Sequence, residues 1–129
     1  MDELRQDDMM RHLLQALQAG EDIGHYGRLV FVMVARHFAD DDTIVQLLCN
    51  EKDVDEPQAR ALVKQVAERD YNPPRREKIL EYQQQQEFPI IPNPEDPDAG
   101  NVYRNLQFPE RVYSHIEEYR EAQVEAEHH

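Results

Sequence analysis

Residues 29–35, Leu-Val-Phe-Val-Met-Val-Ala, are apolar without a break, with Gly24-His25-Tyr26-Gly27-Arg28 on one side and Arg36 on the other. A helix that is apolar on nearly every face has to lie at the centre of its domain. His25, Arg28 and Arg36 fall within an arc of about 80° at about 100° per residue. A buried-type helix with one cationic stripe predicts a site for an anion, phosphate above all, because guanidinium forks match phosphoryl oxygens.

The rest of the chain builds around that helix. With 129 residues it is long enough for one domain with a modest core, placed at residues 1–127. Asp and Glu number 27 against eleven Arg and three Lys, for a formal net charge of −13. That balance excludes a chain that coats itself in nucleic acid through bulk charge. The choice of Arg over Lys still favours bidentate contacts to phosphate or carboxylate. An acidic, Lys-poor surface also suits high salt, where repulsion is screened within about 3 Å at about 1 M.

Cys49 is the single cysteine, so the chain has no internal disulfide and no Cys-rich metal site. In Leu47-Leu48-Cys49 it reads as a small buried hydrophobe. No apolar run approaches the roughly 20 residues of a membrane span. The acidic start Met1-Asp2-Glu3-Leu4 has no secretory character. A cytoplasmic protein without membrane partners is expected, and His128-His129 read as the stub of a purification tag.

The pattern is helical throughout, and the expected fold is all-α, a compact domain of five to six helices. Met10, Leu13, Leu14 and Leu17 share one face of a first helix, with Asp7 or Asp8 as cap and Gly20 as stop. The central helix is placed at 23–38. Asp40-Asp41-Asp42 cap a short helix with Ile44, Val45, Leu47 and Leu48, and a fourth has Pro57 in its first turn and Ala59, Leu62, Val63 and Val66 on one face. Asn72-Pro73-Pro74 opens a fifth around 75–86, buried at Ile79, Leu80 and Tyr82. Gln83 to Gln86 read as its solvated end. Phe88 to Gly100 hold four prolines, so an extended, proline-rich wrap is predicted over 88–108. A last helix from about 108 to 125 is apolar at Val112, Ile116 and Tyr119.

This order of signals resembles the C-terminal domain of the archaeal and eukaryotic DNA primase large subunit. The matching pieces are MMRHLLQALQAGEDI, the HYGR box at His25–Arg28, the aliphatic helix with Arg36 two turns on, and DDDTIVQLL. Tyr71-Asn72-Pro73-Pro74 and the proline-rich loop before NVYRNLQFPE complete the set, over about residues 9–113. The resemblance implies a non-catalytic domain that binds the template–primer junction and the 5′-triphosphate of the initiating nucleotide. Its partner is the catalytic subunit of the primase, which carries the catalytic metal-binding carboxylates. It implies phosphate contacts from His25, Arg28 and Arg36.

The family also holds a 4Fe–4S cluster on four cysteines. The corresponding positions here are Met9, Arg76, Ile91 and Gly100, and none can be a thiolate. No cluster is expected, so something else must replace the cross-link it provided. Met9 and Ile91, with Ile90 and Phe88, are expected to fill the vacated space as core.

Tyr26 is a candidate to stack on a base or ribose. Lys64, which forms a basic pair with Arg60, and Arg76, at a helix start beside Arg75, complete the candidate nucleic-acid contacts. The same side chains have a purely structural reading: His25 and Arg28 pairing with Glu21 and Asp22, and Arg36 with Asp40 at i+4. His37 reads as a satisfied boundary histidine. No nucleophile–base constellation accompanies Ser114 or Thr43, the only serine and threonine, so no catalysis is expected. The competing function is a cluster-free protein-interaction or accessory module of a replication complex that has lost nucleic-acid binding.

Overall fold

A computed structural model describes residues 2–116. Six α-helices run in the order α1 (Asp8–Gln18), α2 (Gly24–Ala35), α3 (Asp41–Leu48), α4 (Glu56–Arg69), α5 (Arg76–Gln83) and α6 (Val102–Asn105). A 3-10 helix at Asp2–Gln6 precedes them, burying Leu4, and residues 110–116 are again helical. No strand occurs among the described residues. The fold is all-α.

Local chemistry starts and stops these helices. Asp7 caps α1 by accepting from Met10 N at 2.9 Å, and Asp40 caps α3 by accepting from Thr43 N at 2.8 Å. Asp55 and Gln58 form a reciprocal capping box at the start of α4, with Pro57 inside its first turn. Gly20, at φ +77°, ends the α1 unit where a Cβ would be strained. α4 closes on Asp70, whose left-handed φ of 48° is uncommon outside glycine and tolerated best by Asn and Asp.

α2 is the hub and packs against α1, α3, α4 and α5. Its residues from Val30 to Ala35 are all buried, with Met9, Met10, Leu13, Leu14 and Leu17 of α1 beside them in the same core. Ile44, Val45 and Leu48 of α3 and Ala59, Val63 and Val66 of α4 complete it. A helix apolar all round is therefore surrounded on all sides, as its composition requires.

Boundaries differ from expectation in three places. α2 ends at Ala35 rather than 38, because Phe38 N and Ala39 N both donate to Ala35 O and the chain tightens into a turn. α5 spans eight residues and ends on Gln83, the first of the glutamine run. The wrap over 88–108 contains α6, a single turn, and the final helix begins at 110. Tyr119, the rest of that helix and His128-His129 lie outside the described residues.

The proline-rich segment is tied to α1. Asn105 Nδ2 donates to the buried Asp7 carboxylate at 2.8 Å, and His12 Nε2 meets Pro89 O at 2.9 Å while its ring stacks on Phe88. Burial pushes the Asp7 carboxyl upward, opposed by the hydrogen bonds from Asn105 and from the Met10 backbone. Ile90 and Ile91 are fully buried, as expected; Phe88 is only half-buried, because its ring lies over His12 at the rim.

Candidate phosphate-binding site

The start of α2 is built by residues distant in sequence. Asp22 Oδ1 accepts from Gly24 N at 2.8 Å and from Arg28 Nη1 at 3.1 Å. Gly24 sits at φ +79°, and a Cβ there would collide with the Gln86 amide. That amide caps the helix: Gln86 Oε1 accepts from Tyr26 N at 3.0 Å and Gly27 N at 3.4 Å. Its Nε2 donates to Ile23 O at 2.8 Å and Phe88 O at 3.0 Å. Gln83 accepts from Ile91 N at 2.7 Å, and Gln85 accepts from the Tyr26 hydroxyl at 3.0 Å. The glutamine run is thus solvated only at Gln84 and Gln85, while Gln86 satisfies backbone donors that the helix start leaves orphaned and Gln83 serves the loop.

His25 and Arg28 open onto a groove of about 430 Å³ between the start of α2 and the α3–α4 pair. Asp22, Glu51, Asp53 and Leu62 share its walls. Glu51 is 5% exposed and accepts from Asp53 N at 3.1 Å. The groove therefore sets two cationic or potentially cationic side chains against three carboxylates.

The other candidates do not join them. Arg36 lies eight residues on, roughly 12 Å along the axis, with its side chain only 13% exposed. Its Nη2 donates to Asp70 Oδ1 at 2.6 Å and Tyr71 O at 3.1 Å. The expected pair with Asp40 is absent because α2 stops at Ala35, and Asp40 turns to cap α3. Tyr26 stacks on Tyr82 with centroids 4.9 Å apart, so one ring face is used in packing. Lys64 is 74% exposed on α4 and faces Glu68 at 3.8 Å, while Arg60 bonds Glu56 and Asp42. Cys49 is partly rather than fully buried at the C-cap of α3, and burial pushes its thiol up. His37 is a boundary residue, but its Nε2 is buried without a hydrogen-bond partner among the described residues.

Arg76 serves the loop. Its Nε donates to Ala99 O at 3.0 Å and its Nη2 to Pro94 O at 2.9 Å and Asp96 O at 3.5 Å. Gly100 lies alongside: a Cβ there would come within 2.6 Å of Ile91 Cδ1 and 3.7 Å of Arg76 Cγ. Residues 76, 91 and 100, from the start of α5 and the two ends of the proline-rich segment, thus meet at one point. Met9, the fourth position that the sequence resemblance assigns to the cluster, is fully buried on α1, whose cap Asp7 is bonded to Asn105. These residues do not fit an iron–sulfur cluster, since they offer no thiolate and an isoleucine fills the space beside Gly100. Among the described residues, no group of His, Cys, Asp or Glu side chains is placed to hold a metal ion.

Pattern reading missed Gln83, Gln86, Asp70 and Arg111, whose partners stand 8 to 63 residues away. No local signal marks them. Among the described residues no helix is long and apolar enough to cross a membrane. Comparison with family models, curated proteins and solved structures finds no match to this chain.

Proposed function

We propose that the chain is a cluster-free counterpart of the C-terminal domain of the primase large subunit, which binds a template–primer junction and the initiating nucleotide while a separate polypeptide performs catalysis. One observation carries the reading. Positions 76, 91 and 100, assigned to the cluster from sequence order alone, meet in space, with Ile91 packed where a Gly100 side chain would stand. Convergence of the start of α5 with both ends of the proline-rich segment is what a repacked ligand site would leave behind. Arg76 supplies a hydrogen-bonded staple between α5 and the loop, and Ile91 supplies the volume.

On this reading His25 and Arg28 take the phosphates, since they share the groove at the start of α2. The domain contributes binding and positioning, and bond-making belongs to the partner. Arg28→Ala is expected to weaken binding of a 5′-triphosphate-ended oligonucleotide by about 1–3 kcal/mol, roughly five- to 150-fold. Fluorescence anisotropy on the full chain measures this; unchanged affinity in a folded variant rejects the assignment.

The acid-lined groove favours a second reading, an accessory module that binds protein and not nucleic acid. Asp22 already holds Arg28, and Glu51 and Asp53 face the same space in a chain of net charge −13. A salt series with a labelled DNA–RNA junction separates the two. Binding that weakens with salt supports the first, and no binding at any salt supports the second.

A further inference from the structure

The groove at the start of α2 has a second wall, and its carboxylates have no cation among the described residues. Glu51 and Asp53 come from the turn between α3 and α4, and both line the groove. Glu51 is 5% exposed, so its side chain is largely desolvated. Its Oε1 accepts from Asp53 N at 3.1 Å. Its Oε2 has no hydrogen-bond partner among the described residues, yet it is not sealed in the core, so it opens to the groove. Arg28, the guanidinium of the facing wall, is held by Asp22 at 3.1 Å. A carboxylate stripped of most of its water is costly until a cation or further donors reach it.

The rest of the lining is not that of an ion site. Gln58, Ala61, Leu62 and Gln65 recur at i, i+3, i+4 and i+7, so one stripe of α4 faces the groove. Leu62 and Val54 are only half-buried there and leave apolar surface uncovered. A metal ion would leave that surface wet, and no group of carboxylates among the described residues is placed to chelate one. At about 430 Å³ the groove falls in the range of about 300–1,000 Å³ usual for ligand clefts. Arg and Lys side chains combine what these walls ask for, an apolar stem and a charged head with several N–H donors.

We propose that this groove docks a segment of a partner protein that presents an Arg or Lys side chain beside an apolar residue. The cation sits against Glu51 and Asp53, and the apolar side chain covers Leu62 and Val54. Charge complementarity selects such a partner, since a chain of net charge −13 steers a basic surface toward itself. The Gln58 and Gln65 amides lie on the same stripe and offer both donor and acceptor to a peptide backbone. A polyamine has no carbonyl to answer them. The inference deepens the protein-binding reading of this groove, on which it rests, by naming the chemistry of the partner. The phosphate contacts belong to the α2 wall and fail separately.

The test titrates the blocked dipeptide acetyl-Leu-Arg-amide into the full chain at constant ionic strength and follows backbone N–H and methyl NMR signals. Saturable shifts at the Asp53 N–H and the Leu62 methyls are expected, with none in the 110–116 helix, which has no part in the groove. Glu51→Gln keeps the acceptor for Asp53 N and removes the charge, and it is expected to weaken binding about tenfold. Asp53→Asn, at an exposed position, is expected to weaken it about two- to fivefold. Acetyl-Leu-Lys-amide should bind as well, and acetyl-Leu-Glu-amide should not. Absence of a saturable shift, equal binding of the Glu dipeptide, unchanged binding by both variants, or tighter binding of spermidine than of either basic dipeptide overturns the proposal. The salt series with the DNA–RNA junction tests the protein-binding reading by itself, so the two failures are distinguishable.

Discussion

Gln86 does what a Ser or Asp does at other helix starts, from 60 residues away. The N-cap of α2 is Ile23, which offers no capping oxygen, so the amide of Gln86 accepts from Tyr26 N and Gly27 N instead. Gln86→Ala strips both donors of their partner and is expected to cost about 1–3 kcal/mol in urea unfolding. Gln84→Ala, on an exposed neighbour, should cost little; equal effects would show that Gln86 is not the cap. His37 is the second residue whose role is electrostatic. Its pKa falls from 6.5 to about 4 in the folded chain, chiefly by desolvation and then by Arg36 and Arg111. The unfolded chain then binds more protons between those values, so stability drops as pH falls from 6.5 toward 4. Comparing unfolding of the native chain with His37→Gln between about pH 7 and about pH 5 isolates this share. The variant is expected to lose less stability over that interval, and parallel losses would contradict the account.

Between elements, the decisive contact is that of α5 with the loop that follows it. Arg76 reaches three loop carbonyls, and Gly100 lets Ile91 pack against the backbone at φ +83°. Gly100→Ala therefore meets two penalties, positive φ and the Ile91 Cδ1 contact, together about 1–3 kcal/mol. Ile91→Val removes that Cδ1, so in the double variant the cost of Gly100→Ala should shrink, leaving mainly the backbone term. A coupling of about 0.5–2 kcal/mol is expected in a denaturation cycle, and strict additivity would show that 91 and 100 do not share the space. This interface rests on packing and charge-assisted hydrogen bonds, each of which is individually weak.

For the whole molecule, self-repulsion is the dominant long-range term. The net charge is −13, and exposed pairs such as Arg11–Asp8, Lys64–Glu68 and Lys78–Glu81 return little each. Raising salt from about 0.1 M to about 1 M shortens the screening length from about 10 Å to about 3 Å. The melting temperature should rise across that range, and a flat or falling curve would show that the surface pairs outweigh the repulsion. Much of this architecture is legible without coordinates. Asp7, Asp40 and Pro57 mark helix starts within a turn of themselves, and the spacing of Met10, Leu13, Leu14 and Leu17 names a buried face. The apolar run at 29–35 demands a central helix because no other place hides it. Caps and periodicity act over a few residues, so helical segments, dry faces and charged atoms are written locally in the chain. The choice of partner is written there only when the partner is near. Arg28 meets Asp22, six residues away and among the partners the sequence offers, but Arg36 meets Asp70 rather than Asp40, because a distant ion pair depends on which elements the packed core brings within about 4 Å.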